Sequence, residues 1–417
     1  MTVTTTTADS SNPSTPERLE PTDVIDHPTK RDEAWRYAPH SELGRLSFGP
    51  PVASAPSVPA HVEALIPALD GPRIVVVNGV VDHVRSDVAG LPDGVRLSTL
   101  ADDVRLHPEQ LDAHFDRSAD DVADAFVALN LAFGRDGAVI DVAPGHEIDA
   151  PIHIVDLVIP DETRNASCSG VVIHLGAGSS ATVVETRIGG GCEFGGSNTR
   201  TTITLDDNAT LDHIVLQDVP STQIHLASIE VTQGAGSVLR ARSFNLGAIY
   251  GRVAYDVHLA GETARADLSG LYFGTGDQTL DQQITVVHEA QNCTSRQTFR
   301  GILDDASTGV FNGGIDVRPG ADGTDAEQAN DNLLLSKRAE ANTQPRLEIL
   351  ADDVSCKHGA TVGQLDDEAL YYLRTRGVPA DEARRLLIRG FADQAVRAVD
   401  IETLRTWIND RLGHTDG

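Results

Sequence analysis

Cys356 and His358 stand two residues apart in the stretch Ser355-Cys356-Lys357-His358-Gly359-Ala360-Thr361-Val362-Gly363. A thiolate and an imidazole are ligands for iron or zinc. On a strand, a spacing of two puts both side chains on one face, together with Val354, and turns Lys357 to the other. Two ligands do not complete a structural zinc site or an isolated cluster. A complete site needs groups from another chain. Judged by spacing alone, a buried cysteine beside a solvent-facing or hydrogen-bonded histidine is the simpler explanation.

Other residues with chemical potential form no constellation. His153, His174, His213, His225, His258 and His288 are spread along strand-like segments and read as surface or turn-lining positions. No HExxH occurs, and the pairs His146-Glu147 and His288-Glu289 diverge on a strand. The acidic pairs Asp206-Asp207, Asp304-Asp305 and Asp352-Asp353 raise the possibility of a carbohydrate-active enzyme, which needs two carboxylates facing one cleft. Neighbours on a strand point to opposite faces. An aromatic content of 4% also leaves few platforms for sugar stacking. The three lysines follow Thr29, Ser336 and Cys356, so none completes the Gly-Lys-Ser/Thr of a phosphate loop. The chain is not expected to hydrolyse ATP. Five glycines between Gly189 and Gly196 lack the strand-to-helix setting of a dinucleotide site and read as a loop between strands. The four cysteines, Cys168, Cys192, Cys293 and Cys356, show no CxxC and default to small buried hydrophobes in a reducing cytosol.

The elements that must position these residues can be read next. With 417 residues the chain exceeds one small core, so two or three structural units are expected. It carries 33 Lys and Arg against 62 Asp and Glu, a net charge of −29. Such a field repels nucleic acid and anionic membrane. No signal peptide follows Met1 and no run reaches the roughly 18 apolar residues that span a bilayer. The expectation is a soluble, cytoplasmic protein.

Residues 1–30, rich in Thr, Ser and Pro, read as a disordered tail. Residues 31–137 read as a mixed N-terminal domain. Within it, 41–72 with Gly49-Pro50-Pro51 is expected as linker or loop. Arg73 to Gly79 is a strand ending in a turn, and Ser118 to Phe133 a helix capped by Ser118. From 138 to 363 short alternating strands dominate. Leu175, Leu205, Val231, Leu259 and Val287 step along at intervals of 30, 26, 28 and 28 residues. Gly-rich turns and that period suggest a solenoid whose turns stack to bury what one turn cannot. A β-sandwich has a shorter strand spacing. Residues 364–417 read as a small helical domain. Leu365 to Arg376 is stopped by Gly377, a second helix starts at Pro379 and ends near Arg389, and a third carries Leu404, Trp407, Ile408 and Leu412. This bundle is too small for a strong independent core.

Several segments together resemble the SufB/SufD family of the Suf iron–sulfur cluster assembly system, on its SufD side. They are Glu33-Ala34-Trp35-Arg36-Tyr37-Ala38-Pro39, Ala128-Leu129-Asn130 with Asp136-Gly137, Gly309-Val310-Phe311-Asn312-Gly313, Asn330 to Ser336 with Pro345 and Leu347-Glu348-Ile349, and Cys356 to Gly363. The similarity covers about residues 31–395. Asp331 and Lys357 depart from the family's Arg and Ser. SufB shares the β-helix, but Glu33 to Tyr37 and Gly359 to Gly363 favour SufD. The resemblance implies a right-handed parallel β-helix between helical ends, in a non-catalytic scaffold that pairs with a SufB-like paralogue. It implies docking of a SufC-type ABC ATPase through the C-terminal helices, where Leu370, Leu373, Leu386, Leu387 and Phe391 are the candidate contacts. It also maps a functional histidine onto His358 and a nearby cysteine onto Cys356. Together these would serve a transient iron–sulfur cluster, or iron, shared with SufB. A reduced flavin in the complex is a further expectation, as is a homodimer of the isolated chain, since an unpaired solenoid edge invites a like partner. The alternatives are SufB itself, a β-helix carbohydrate enzyme, or a purely structural β-solenoid adaptor.

Overall fold

A computed structural model describes residues 28–49, 54–108, 111, 124–160 and 165–413. The alternating segments form a two-sheet solenoid of about seven turns. Successive strands alternate between a ten-stranded and a nine-stranded sheet, so each pairs in parallel with the strand two places on. At the N-terminal end both sheets finish in short antiparallel strands, Val80–Val81 on Arg73–Val77 and Val95–Thr99 on Gly137–Val142. At the other end they finish in two long strands, Glu340–Ile349 and Val354–Gln364. Among the described residues neither has a strand on its outer side.

The turns explain the regular stacking. At one corner successive turns place a residue in the left-handed region; Thr263 is the β-branched exception, and the others include Gly178, Asn208, Gly236 and Asn292. These are residue types that enter that region at low cost. Their N–H groups reach the carbonyl of the next turn: Gly178 to Asp207 (2.9 Å), Asn208 to Ala235 (2.8 Å), Gly236 to Glu262 (2.9 Å) and Asn292 to Asp322 (2.8 Å).

The repeat length read from sequence holds, but its register does not. Leu175 and Leu205 are aligned with Gln233, Leu259, His288 and Val317, not with Val231 and Val287. Gln233 and His288 are fully buried polar residues at positions where a hydrophobic pattern predicts an aliphatic one.

Helical pieces cover the outside of the solenoid. The segment 41–72 is more than a linker. It contains one-turn helices His40–Leu43 and Ala60–Glu63 and buries Leu43, Leu46, Val58 and Val62. Trp35, in the short 3-10 helix Glu33–Trp35, packs on the outer face of the nine-stranded sheet with Phe126, Ile224, Leu226 and Tyr250. The Arg252 guanidinium lies 4.0 Å from the Trp35 ring. It donates to the Ala34 carbonyl and to Asp281, each at 2.8 Å. The described part of the expected helix over 118–133 is Ala125–Phe133, capped by Asp124, whose carboxylate accepts from the Phe126 N–H. Ser118 lies outside the described residues, as does most of the expected tail.

The C-terminal helices Ala380–Arg397 and Glu402–Leu412 lie on the outer face of the ten-stranded sheet. Ile388, Ala392, Val396, Leu404, Trp407 and Ile408 share one hydrophobic cluster with Ile214, Phe244, Leu271, Ile302 and Leu333. The second of the three C-terminal helices does not stop near Gly390 but runs on to Arg397. A mid-helix glycine costs about 1 kcal/mol, and the buried Ala392, Ala395 and Val396 beyond it outweigh that. The preceding helix Asp367–Thr375 has no buried residue. Among the described residues no helix is long and apolar enough to cross a membrane.

Candidate functional site at the open end of the solenoid

Strand Val354–Gln364 pairs in parallel with Thr324–Leu334, setting Cys356 beside Ala326, Lys357 beside Glu327 and His358 beside Gln328. Alternation divides its side chains as the spacing predicts. Lys357 and Thr361 face outward, where Lys357 lies 3.5 Å from Glu327 and Thr361 donates to Asp331 at 2.5 Å. Val354, Cys356, His358, Ala360 and Val362 take the lumenal parity, in register with Ala326, Gln328, Asn330 and Asn332, all buried.

The two candidate ligands sit at different depths. Cys356 is half-buried against Ile315, Val317, Ala321 and Ala326, with Leu347 and Val354 beside it. Burial pushes its thiol above the ordinary range, and the Asp325 carboxylate adds to this while the Ala326 backbone opposes it. The thiol is thus protonated near neutral pH, and a metal must displace that proton. His358 is exposed. Among the described residues no group of three or more His, Cys, Asp or Glu could hold a metal ion. One soft and one borderline donor on an unpaired edge suit half of a shared iron or cluster site.

Beneath this edge the lumen is lined by amides. Gln297 donates to the Gly314 carbonyl at 3.0 Å, and Gln328 donates to Gln297 at 2.7 Å. Asn332 donates to Asn330 at 2.7 Å, and the Tyr272 hydroxyl donates to Asn332 at 2.5 Å.

The histidines require a correction. His174 and His258 do lie outside, each between two carboxylates. Hydrogen bonds and charge from Asp256 and Glu289 raise His258 to about 9. His153, His213, His225 and His288 are buried. Desolvation pushes the first three down to about 3 and His288 to about 4, so all four are neutral. His213 belongs to a network missed in the sequence. Its ring contacts Glu185 at 2.7 Å and the Tyr255 hydroxyl at 3.2 Å, and Glu185 also accepts from Thr201 (2.9 Å) and Arg187. Glu185 and Arg187 share the lumenal face of their strand with Val183, so the i, i+2 pairing of an acid and a base was the available signal. Of the cysteines, Cys168 and Cys293 are buried as expected, but Cys192 is exposed in the glycine-rich loop.

The candidate docking residues are partly used inside the molecule. Phe391 packs on the sheet cluster, its carbonyl accepts from Arg300 at 2.7 Å, and that guanidinium lies 4.9 Å from its ring. Leu370, Leu373 and Leu387 are half-buried, and Leu386 is exposed. Tyr371 and Tyr372 beside them are 70% and 56% exposed, which marks a surface with little cover.

Comparison with known proteins identifies the family of the chain. Residues 158–391 match the core domain described as "SUF system FeS cluster assembly, SufBD core domain", and 17–154 match the SufBD protein N-terminal region. The chain is 32% identical to the iron–sulfur cluster assembly protein SufD of Escherichia coli, over 93% of this chain and 88% of that protein. It is 29% identical to an iron–sulfur cluster assembly SufBD family protein of Synechocystis, over 91% and 85%. It is 25% identical to the SufD of Bacillus subtilis, over 75% and 72%.

Proposed function

This chain belongs to the SufBD family of iron–sulfur cluster assembly proteins, and from that premise we propose that it is the SufD-type scaffold subunit of a Suf complex. Its role lies in cluster assembly, and the iron or nascent cluster is its cargo, held in transit between subunits. His358 supplies an imidazole and Cys356 a thiol from this side, and a SufB-like partner supplies the remaining ligands. The observation that carries this is the open terminal turn. It sets an exposed imidazole and a half-buried thiol on one lumenal face, at an edge with unused backbone pairing groups.

Two long edge strands side by side invite continuation by a partner with the same strand spacing. Exposed Ile349, Leu350 and Val362 add apolar area there. A SufB-like solenoid is the partner proposed for this edge. A SufC-type ATPase is proposed for the surface formed by Leu370, Tyr371, Tyr372, Leu373, Leu386 and Leu387. On this account ATP hydrolysis belongs to that partner. The chain is co-expressed with a SufB-like protein and a SufC-type ATPase, and the purified complex is assayed anaerobically for iron and sulfide. A stable ternary complex that gains both is the expected result. A chain that purifies alone under these conditions contradicts the proposal.

A further inference from the structure

Gln328 lies directly under His358. The two are paired in register on the lumenal parity of adjacent parallel strands, whose backbones lie about 4.8 Å apart. The orientation of the Gln328 amide follows from a backbone group. The Gly314 carbonyl can only accept, so it fixes the Gln297 amide nitrogen toward itself and leaves Gln297 Oε1 facing its neighbour. Gln328 must therefore turn its Nε2 down to Gln297, at 2.7 Å. Its Oε1 is buried and has no protein partner, while the residue is 1% exposed.

The opposite wall is shaped for this side chain. A Cβ on Gly313 would fall 2.2 Å from Gln328 Nε2 and 2.7 Å from Cδ. Gly313 closes the segment Gly309-Val310-Phe311-Asn312-Gly313, which the cluster site otherwise leaves unused.

Resting on the proposed ligand role of His358, we propose that Gln328 is its positioning residue: the unpartnered Oε1 accepts a ring N–H of His358, fixes the tautomer, and turns the other ring nitrogen to the open edge. Ligating histidines ordinarily donate their second nitrogen to such an acceptor, and losing that acceptor costs about 10–100-fold in metal affinity or activity. Here the acceptor is itself aligned by a two-amide ladder tied to backbone.

The test uses the full chain labelled with 15N-histidine, with the His358 ring signals identified by H358A. Long-range 1H–15N spectra of the wild type are expected to show one neutral tautomer for His358. In Gln328→Met, which keeps length and volume, the two ring nitrogens move toward averaged values. Cluster formation in the complex falls about tenfold in Gln328→Met. Averaged His358 nitrogens in the wild type, or His358 signals unchanged in Gln328→Met, overturn the proposal. The wild-type spectrum decides the matter even if Gln328→Met does not fold. Failure of the ligand role is read separately, from undiminished cluster yield in H358A.

Discussion

Buried ionisable side chains govern how this molecule responds to acid. His153, His213 and His225 titrate at about 3 and His288 at about 4 when folded, against 6.5 for a free ring. The unfolded chain therefore binds more protons below pH ~6.5, and stability falls as pH drops from there toward 3. His258 works in the opposite sense. Its folded value of about 9 contributes stability that is whole below ~6.5 and lost as pH rises through 9. Urea midpoints measured from pH 4.5 to 9.5 should peak between these limits, with the steeper loss on the acid side. A flat profile between pH 7 and 4.5 contradicts the burial of these rings. Within the lumen, Glu185 is bound to Arg187, His213 and Thr201. Glu185→Leu leaves Arg187 buried with Asp156 as its remaining acidic neighbour and should cost about 3 kcal/mol in urea unfolding. A loss under 1 kcal/mol would mean that water reaches this network.

Among the elements, the C-terminal helices carry both residues packed on the sheet and the exposed residues of the proposed docking surface. Phe391→Ala removes a half-buried ring from the sheet cluster and should cost about 2 kcal/mol, roughly half the cost at a fully buried site. Tyr371→Asp and Leu386→Asp touch exposed positions and should leave the urea midpoint within about 0.5 kcal/mol. In a pull-down they should lose the ATPase, and retention of it by the double variant rejects this surface as the dock. Much of this architecture was legible in the chain. Alternation and Gly-rich corners disclosed the solenoid, and Gly377 marked a true helix stop with φ of +87°. What escaped has a common cause. Gln233 and His288 bond locally to Ser237 and Ser295, but the next turn completes them through the Arg265 carbonyl and Thr324, and Glu185 and His213 bond each other across turns, so full satisfaction exists only after stacking. A hydrophobic pattern therefore slips by one or two residues wherever the lumen is polar. The pair Cys356 and His358 was visible by spacing. Gln328 was not, because its relation to His358 is a register between strands thirty residues apart.

At the scale of the whole molecule, the two ends of the solenoid differ. One is closed by short antiparallel strands, and the other ends in strands of ten and eleven residues that, among the described residues, have no strand on their outer side. Open edges of that length are ordinarily covered or blunted. Val362→Lys places a charge at the lumenal face of the edge and should weaken association with a SufB-like partner at least tenfold in a sedimentation titration, without lowering the urea midpoint. The account depends most on His358. Complexes of this chain with a SufB-like protein and a SufC-type ATPase are purified in wild-type and His358→Ala forms, and iron and sulfide bound per complex are measured anaerobically. The account predicts assembled complexes in both cases, with cluster yield at least tenfold lower in His358→Ala. Wild-type yield from an intact His358→Ala complex would contradict it.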